Sequence, residues 1–535
     1  MKSKTIVSVL AAALIIAGIT GCNPSTSNPG TSEDGPTSIE EPTSNPDVTT
    51  DPSVPSVEDT TSVEETYTPK ITTPIEINFW NVKGGAYQSA IEVAIETFKE
   101  LEPNVTVNNV KQTASISALP DVVTKGFTSG VYPDIVESYP DAVASYLDYE
   151  KVVDLEKYID HKDYGWTAEE KADYIPAYLE EGRQYLVEGT YSLPFSKSTE
   201  VLIYNKTLLE GINLSSIDST INNGRPINTR YLKSLTWDEF FNKLCPALLK
   251  YNEGLGDEDK ILDTTQANWA VLGYDSDANF AITLTQQYGL PYTSLDRDNY
   301  KGSADFNVSS VADKFEWVKE MAEKHYIVTG EPVGGYTNGL YEKSAVLFTV
   351  SSTGGLKYTV DSTQGYELGV GYLPRPAEGE GTLKTISQGP SLCLLKHESD
   401  PNAELRELAS WLFYKHLTNY ENGLKWALEG GYSPIRFSVM NSEEYQTAVD
   451  PESAGAVDSL NYLMANVNKL VSEQEFQDSL YTTPAFKGSA TARTALGGVM
   501  TKVVGGVIEG QAVTRDSING WLNEAWNNTT LAIAG

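Results

Sequence analysis

The residue types that carry most enzyme chemistry occur in this chain without the spacing that such chemistry needs. The four histidines, His161, His325, His397 and His416, lack the paired spacing of a metal site. The sequence contains neither a G-x-S-x-G nucleophile motif nor a G-x-x-x-x-G-K-[ST] phosphate loop. A glycosidase needs only two carboxylates, and 73 acidic residues leave that class open. We expect no cofactor and no metal.

Other polar and aromatic residues lie at positions where proteins commonly bind small ligands. In open α/β sheets, ligands lie outside the carboxyl ends of strands. Glycine-containing turns leave backbone N–H groups approachable, so that they can cradle an oxyanion or a hydroxyl. The first argument selects Trp80, Ser138 and Tyr139, and the second selects Ser352, Gly354, Gly389 and Ser391. The alternatives are core packing for Trp80, a surface loop for Ser138 and Tyr139, and ordinary turn formation for the glycine-containing segments.

The elements that would position these residues follow an α/β order. Alternation from Ile75 to Trp80 predicts a strand, and Ile91, Ile95, Phe98 and Leu101 mark one face of a helix that Pro103 stops. Val105–Val107 predicts the next strand, so the order indicates a parallel sheet. Thr236 and Glu239 have the spacing of a capping box. Further strands are expected at 134–136, 201–204, 344–350, 366–372 and 386–395, and helices at 402–417, 421–429, 457–478 and 489–509.

The N-terminus has the pattern of a secretory signal. Lys2 and Lys4 precede an apolar run that is shorter than the roughly 20 residues of a transmembrane helix. The run ends at Ile-Thr-Gly-Cys, which resembles a bacterial lipobox and implies a lipid on Cys22. An ordinary signal peptide with a chance cysteine and an uncleaved anchor are the alternatives. Residues 23–73 are rich in Ser, Thr, Pro and acidic residues, a composition that predicts a disordered stalk.

The net charge and the cysteine content of the chain limit which partners and which disulfides we expect. The formal net charge of −34 disfavours binding to a phosphate backbone, so we expect no nucleic-acid partner. After Cys22 only Cys245 and Cys393 remain, too few for a disulfide framework. Both lie in apolar patterns, which predicts buried free thiols.

Several short motifs resemble the substrate-binding proteins of carbohydrate-type ABC importers, the group of maltose- and glycerol-3-phosphate-binding proteins. The resemblance covers most of residues 74–535. Its motifs occur in the order of the family: the strand ending at Trp80, then Gly130–Val136, Tyr191–Lys206, Leu235–Phe240, Gly369–Pro374 and Gly431–Arg436. At Leu235 the chain departs from the usual Pro-x of the family.

The resemblance implies an α/β, two-lobed periplasmic-binding-protein type II fold with a hinge and a ligand in the interlobe cleft. The chain would cross the hinge near Pro194, near 383–387 and near Pro434. Lobe one would comprise 74–193 plus 384–434, and lobe two 194–383 plus 435–535, after the signal peptide 1–22 and the stalk 23–73. Ser198 and Thr199 lie in the first crossing, where their hydroxyls face either the ligand or local backbone.

The resemblance also adds two candidate ligand contacts. The family places a contact aromatic before the third crossing, which implies Tyr432. The glycerol-3-phosphate-binding branch has a phosphate-binding arginine in the last third of the chain, which implies Arg493. The loop 351–355 has small residues where maltose-type relatives carry a tryptophan, and this difference favours a small or anionic ligand.

These implications predict a receptor rather than an enzyme. We expect a monomeric protein, lipid-anchored at the extracellular face of a bacterial membrane, that captures a sugar and delivers it to separate permease and ATPase subunits. Glycerol-3-phosphate or a glycerophosphodiester is the alternative ligand. A secreted glycan-active enzyme and a surface adhesion module are the rival functions.

Overall fold

The computed structural model describes residues 68–113, 115–359, 366–429, 432–453 and 459–534. The predicted signal segment, the lipid site at Cys22 and the stalk as far as residue 67 lie outside the described residues. No helix within these ranges is both long enough and apolar enough to cross a bilayer.

The strands are mostly short and spread over the whole described region. In chain order they are β1 (Ile75–Asn81), β2 (Val105–Lys111), β3 (Ile135–Ser138), β4 (Leu193–Pro194), β5 (Glu200–Asn205), β6 (Leu272–Tyr274), β7 (Thr293–Asp296), β8 (Lys301–Ala304), β9 (Ile327–Thr329), β10 (Phe348–Ser352), β11 (Leu368–Gly371), β12 (Thr385–Ile386), β13 (Ser391–Leu394) and β14 (Leu480–Tyr481).

The helices separate the strands and cover the sheets. In chain order they are α1 (Ala86–Leu101), α2 (Leu119–Ser129), α3 (Pro140–Leu147), α4 (Glu156–Ile159), α5 (Ala168–Asp173), α6 (Pro176–Glu181), α7 (Lys206–Leu209), α8 (Thr229–Lys233), α9 (Trp237–Glu239), α10 (Cys245–Glu253), α11 (Asp277–Gln287), α12 (Ser309–Glu323), α13 (Asn338–Tyr341), α14 (Ala403–Leu417), α15 (Tyr420–Leu428), α16 (Phe437–Met440), α17 (Glu443–Ala448), α18 (Leu460–Val471), α19 (Gln474–Ser479), α20 (Ser489–Ile508) and α21 (Arg515–Ala534).

The first sheet has the strand order β2-β1-β3-β13-β4. The strand β1 pairs in parallel with β2 and β3, while β13 runs antiparallel to β3 and β4. Ile77 and Phe79 of β1 are buried in one core cluster with Phe98 of α1, which confirms the strand–helix–strand unit expected from the apolar spacing. The helix α14 packs on α1 and β1.

The second sheet has the strand order β11-β5-β10-β6-β9. Every residue of β5 is buried, because the sheet is covered on both faces. Leu202 and Tyr204 face one apolar cluster, and Val201 and Ile203 face the other. The strands β10, β6 and β9 are parallel, so their carboxyl ends meet at one edge.

The chain passes between the two sheets more than once. It leaves the first sheet after β4 and enters the second at β5, and it returns between β11 and β13. The lobe boundaries given above stay a prediction. Since α16 and α17 pack on α15, and α18 packs on β11, the contacts favour a third crossing after α17 over one at Pro434.

Some local predictions needed correction. The Thr236 hydroxyl accepts a hydrogen bond from the Glu239 amide, but the reciprocal bond of a capping box is absent, so the box is half-formed. The helix expected over 457–478 is divided into α18 and α19, and the strand expected from 344 begins at Phe348. Each of these features depends on neighbours that are distant in sequence.

Candidate functional site

Two adjoining cavities lie where the sheets approach each other. The junction cavity, of about 280 Å³, is lined by residues that include Tyr139, Glu181, Ser387, Gln388, Gly389 and Arg493. The strand-end cavity, of about 730 Å³, is lined by residues that include Glu200, Asp275, Tyr336, Ser352, Gln388 and Arg493. Gln388 and Arg493 line both, so the two cavities are neighbours, and together they are called the cleft below.

The strand-end cavity lies at the carboxyl ends of β6 and β10. Asp275 follows β6 directly, and Ser351 and Ser352 end β10. The Asp275 carboxylate accepts hydrogen bonds from the amide and hydroxyl of Thr337, at 2.8 and 2.7 Å, and from the Ser351 hydroxyl at 2.5 Å. These donors fix the carboxylate at the position that ligands occupy in open α/β sheets.

Glu200 forms the buried floor of the same cavity. It begins β5 and is only 1 % exposed. The Tyr274 hydroxyl and the Asn279 amide donate to its carboxyl at 2.5 and 2.6 Å. Burial raises the pKa of Glu200 to about 7, against the opposing effects of these two donors and of Arg493. Near neutral pH the group is therefore both a possible donor and an acceptor.

Two tyrosine rings stand at the rim of the strand-end cavity. Tyr336 and Tyr358 line it and are 73 % and 63 % exposed. Asn338 donates a hydrogen bond to the Tyr358 carbonyl, which ties the two segments together. Exposed aromatic faces above a polar floor suit a ligand that has an apolar face and polar edges.

Arg493 of α20 projects between the two cavities. It donates a hydrogen bond to the Asn279 side chain, and α20 packs on α11, which carries Asn279. Tyr139, which follows β3 of the first sheet, also lines the junction cavity. The segment after β3 and the helix α20 therefore both contribute to the junction cavity.

A buried ion pair supports the crossings behind the junction cavity. The Lys197 ammonium lies 2.6 Å from the Glu181 carboxylate, and both side chains are almost fully buried. The ammonium also donates to the Gly389 carbonyl at 2.9 Å, and Ser391 donates to Glu181 at 2.9 Å. These contacts join the first crossing, α6 and the strand β13.

A second buried ion pair joins the end of β1 to β3 and contacts an aromatic cluster. The Lys83 ammonium lies 2.5 Å from Glu137 and donates to the Tyr432 hydroxyl at 2.9 Å. Burial disfavours its charge, but Glu137 and Tyr432 more than compensate and raise the pKa of Lys83. The Tyr432 ring stacks on Trp426 and contacts Tyr87.

The structure brings five of the eleven predicted ligand contacts to the cleft. Tyr139 and Gly389 line the junction cavity, Ser352 and Gly354 line the strand-end cavity, and Arg493 lines both. The roles of these residues stay predictions.

The other six predicted contacts line neither cavity. Trp80 is buried in a core cluster, and Ser138 is buried at the end of β3. Thr199 donates to the Ile386 carbonyl, and Ser198 pairs with Gln388 through the backbone. Ser391 and Tyr432 are bound in the two ion-pair networks.

Several cleft residues were not predicted from the sequence, namely Glu200, Asp275, Tyr336 and Tyr358. Asp275 carried a usable signal, because it follows a short apolar run that ends at Tyr274. Glu200 carried none, because an acidic residue at the start of an apolar strand is usually exposed. Among the described residues no group of His, Cys, Asp and Glu is arranged to hold a metal ion.

Comparison with solved structures identifies proteins of similar fold. Solved structures of similar fold include the sugar-binding protein MalE of Xanthomonas citri, with a TM-score of 0.59 and 16 % identity over 85 % of this chain and 98 % of that one. A cyclic alpha-maltosyl-1,6-maltose binding protein of Arthrobacter globiformis gives 0.58 and 18 % over 85 % and 99 %. UgpB of Mycobacterium tuberculosis, in complex with glycerophosphocholine, gives 0.57 and 14 % over 86 % and 98 %. No curated protein sequence matches the chain significantly.

These structures confirm the two-lobed α/β fold that the sequence motifs implied. The sequence profile described as bacterial extracellular solute-binding protein matches residues 93–452. Since this match covers more than half of the chain, the protein belongs to the bacterial extracellular solute-binding protein family.

Proposed function

We propose that this protein is a lipid-anchored extracellular receptor that binds a neutral sugar in the cleft and delivers it to the permease of an ABC importer. The observation that carries the ligand class is the strand-end cavity, where fixed carboxylates and exposed tyrosine rings line one space. Sugar hydroxyls donate to carboxylates, and the C–H faces of sugar rings pack on aromatic faces. The structural neighbours include proteins named for maltose and related glucans.

The charges of the cleft favour a neutral ligand over an anion. Glu200, Asp275 and Glu331 line the strand-end cavity beside the one cationic side chain, Arg493, that lines it. A phosphate in this cavity would meet repulsion from Asp275 and Glu331, and from the charged fraction of Glu200, against attraction from a single guanidinium. A glycerophosphodiester remains the second candidate, because Arg493 lies at the junction and one neighbour is in complex with glycerophosphocholine.

A thermal-shift and calorimetric screen tests the ligand class. The purified soluble domain is incubated with maltotriose, cellotriose, xylotriose, glycerol-3-phosphate and glycerophosphocholine. We expect at least one neutral sugar to raise the melting temperature without being turned over, since a ligand that binds only the folded state stabilises it. Stabilisation by the phosphates alone would refute the sugar proposal, and release of cleaved sugar would show an enzyme.

Variants of the tyrosines link the binding to the strand-end cavity. Tyr336→Ala and Tyr358→Ala should each weaken sugar binding, because each removes a ring from the rim of the cavity. Tyr300→Ala is the matched control, since Tyr300 is 58 % exposed and lines neither cavity. Equal affinity in all three variants would contradict the placement of the ligand.

The anchor is tested separately from the ligand. We expect radiolabelled palmitate to be incorporated into the wild-type chain but not into Cys22→Ala, which should leave the membrane fraction. Retention of the unlabelled variant in the membrane fraction would indicate an uncleaved anchor instead. The tether would keep the receptor close to its permease, and the stalk would let the binding domain turn.

A further inference from the structure

Two neighbouring side chains at the second of the three predicted crossings, near residues 383–387, have buried polar atoms without a partner. Within the described part of the chain, neither the Ser387 hydroxyl nor the Gln388 side-chain nitrogen makes a hydrogen bond. Ser387 is only 7 % exposed and lines the junction cavity, while Gln388 lines both cavities. Buried polar groups in folded proteins are mostly hydrogen-bonded. Other buried side-chain atoms of the described residues also lack a partner, but of these residues only Ser387 and Gln388 line the cavities.

The backbone amides of both residues make hydrogen bonds, so the unpaired side-chain groups do not result from a loose segment. The Gln388 amide donates to the Ser198 carbonyl at 2.8 Å, and the Ser198 amide donates back to Gln388 at 2.9 Å. The Ser387 amide donates to the Tyr481 carbonyl at 2.8 Å. The backbone is thus held by two other segments, while the side chains stay unsatisfied.

The next residue fixes the direction of this segment. Gly389 has a φ of +86°, and a Cβ atom there would lie 1.9 Å from the Ser196 carbonyl oxygen. Only glycine fits so close an approach with that backbone conformation. Ser387 and Gln388 are therefore held at the cleft by a rigid turn.

We propose that Ser387 and Gln388 are specificity-determining ligand contacts, which together with Arg493 donate hydrogen bonds to acceptor oxygens of a sugar lying across the junction of the two cavities. This inference rests on the proposed function and names residues of the same cleft. A site whose buried donors are unsatisfied without ligand discriminates strongly against ligands that cannot pair with them. The two residues also lie at the second crossing, so the same segment would contact the ligand and connect the two lobes.

The proposal predicts opposite effects on stability and on binding. Ser387→Ala and Gln388→Met remove unsatisfied polar groups with little change of volume. Without ligand, both variants should melt at the wild-type temperature or above it, because no hydrogen bond of the protein is lost. With the trisaccharide that best stabilises the wild type among maltotriose, cellotriose and xylotriose, each variant should show a Kd at least tenfold higher.

A matched control separates the cleft from a general effect of the substitution. Gln474→Met changes an exposed glutamine on α19, and should alter neither the melting temperature nor the Kd. A lower melting temperature of both cleft variants with an unchanged Kd would show a purely structural role and would overturn the proposal. A Kd within threefold of wild type in both variants would overturn it as well.

The failure of the sugar assignment can be distinguished from the failure of this inference. If the wild type binds glycerophosphocholine and none of the three sugars, the sugar proposal fails. The same variants are then titrated with glycerophosphocholine, whose phosphate oxygens are also acceptors. A tenfold loss in both would support the roles of Ser387 and Gln388, and unchanged affinity would refute them.

Discussion

The buried carboxyl of Glu200 should make the stability of the protein depend on pH. Burial raises its pKa from the usual 4.5 to about 7, although Tyr274, Asn279 and Arg493 favour the charged form. Between these two pH values the folded protein retains a proton that the unfolded chain has lost. The free energy of unfolding therefore falls as the pH rises through this window.

The size of the effect follows from the shift. A difference of one pKa unit corresponds to about 1.4 kcal/mol, so that raising the pH from below 4.5 to above 7 should cost about 3 kcal/mol through this group. Glu200→Gln is neutral at every pH and lacks this contribution. The variant should therefore gain stability relative to the wild type as the pH rises, by up to about 3 kcal/mol.

Urea denaturation of both proteins from pH 4 to pH 8 measures the difference directly. Other titrating groups are common to the two proteins and cancel in the subtraction. Glu96→Gln, an exposed position on α1, is the matched control and should run parallel to the wild type. If the difference between Glu200→Gln and the wild type stays constant within about 0.5 kcal/mol over this range, the reasoning is refuted.

Two further predictions concern the contacts between segments. Lys197→Met leaves the buried Glu181 carboxylate without its cationic partner and should lower the free energy of unfolding by about 3–5 kcal/mol. In the same denaturation assay Lys502→Met, which breaks an exposed pair with Glu524, should lower it by less than about 1 kcal/mol. Equal losses in the two variants would contradict the assigned burial. Arg297 in the turn between β7 and β8 donates to the carbonyls of Tyr185 and Arg183, at 2.9 and 2.6 Å, on the side of the first sheet. Arg297→Ala should lengthen the distance between spin labels on the two lobes, measured by double electron–electron resonance. Arg225→Ala, at an exposed position, is the control and should leave the distance unchanged. An unchanged distance in Arg297→Ala would show that this contact does not hold the lobes together.

Local sequence patterns predicted those elements whose cause is itself local. The period-two run of β1, the apolar face of α1 and the stop at Pro103 need no distant partner, and all three agree with the structure. The interruption at Gly389 and Pro390 likewise separates β12 from β13. The reason is that periodicity and proline restrict the backbone whatever the chain packs against.

Elements that depend on tertiary contacts were predicted less well. The capping box at Thr236 satisfies the local rule, yet the structure forms only one of its two bonds. The position of α16 and α17 beside α15 has no sequence signal, because it depends on which apolar surface is left uncovered.

The sequence by itself determined the α/β class and the resemblance to solute-binding proteins, because both depend on short, ordered runs of residues. The secretory pattern around Cys22 is of the same kind and stays a prediction. Only the tertiary structure decided which polar groups meet. Glu200 and Asp275 lie 75 positions apart in the chain, and they line one cavity because β10 lies between β5 and β6 in the second sheet. The same folding placed Ser391 and Tyr432 in ion-pair networks. Among the described residues it left the Ser387 hydroxyl and the Gln388 side-chain nitrogen at the cleft without a hydrogen bond. Burial and pairing are properties of the packed chain, and spacing along the sequence does not encode them.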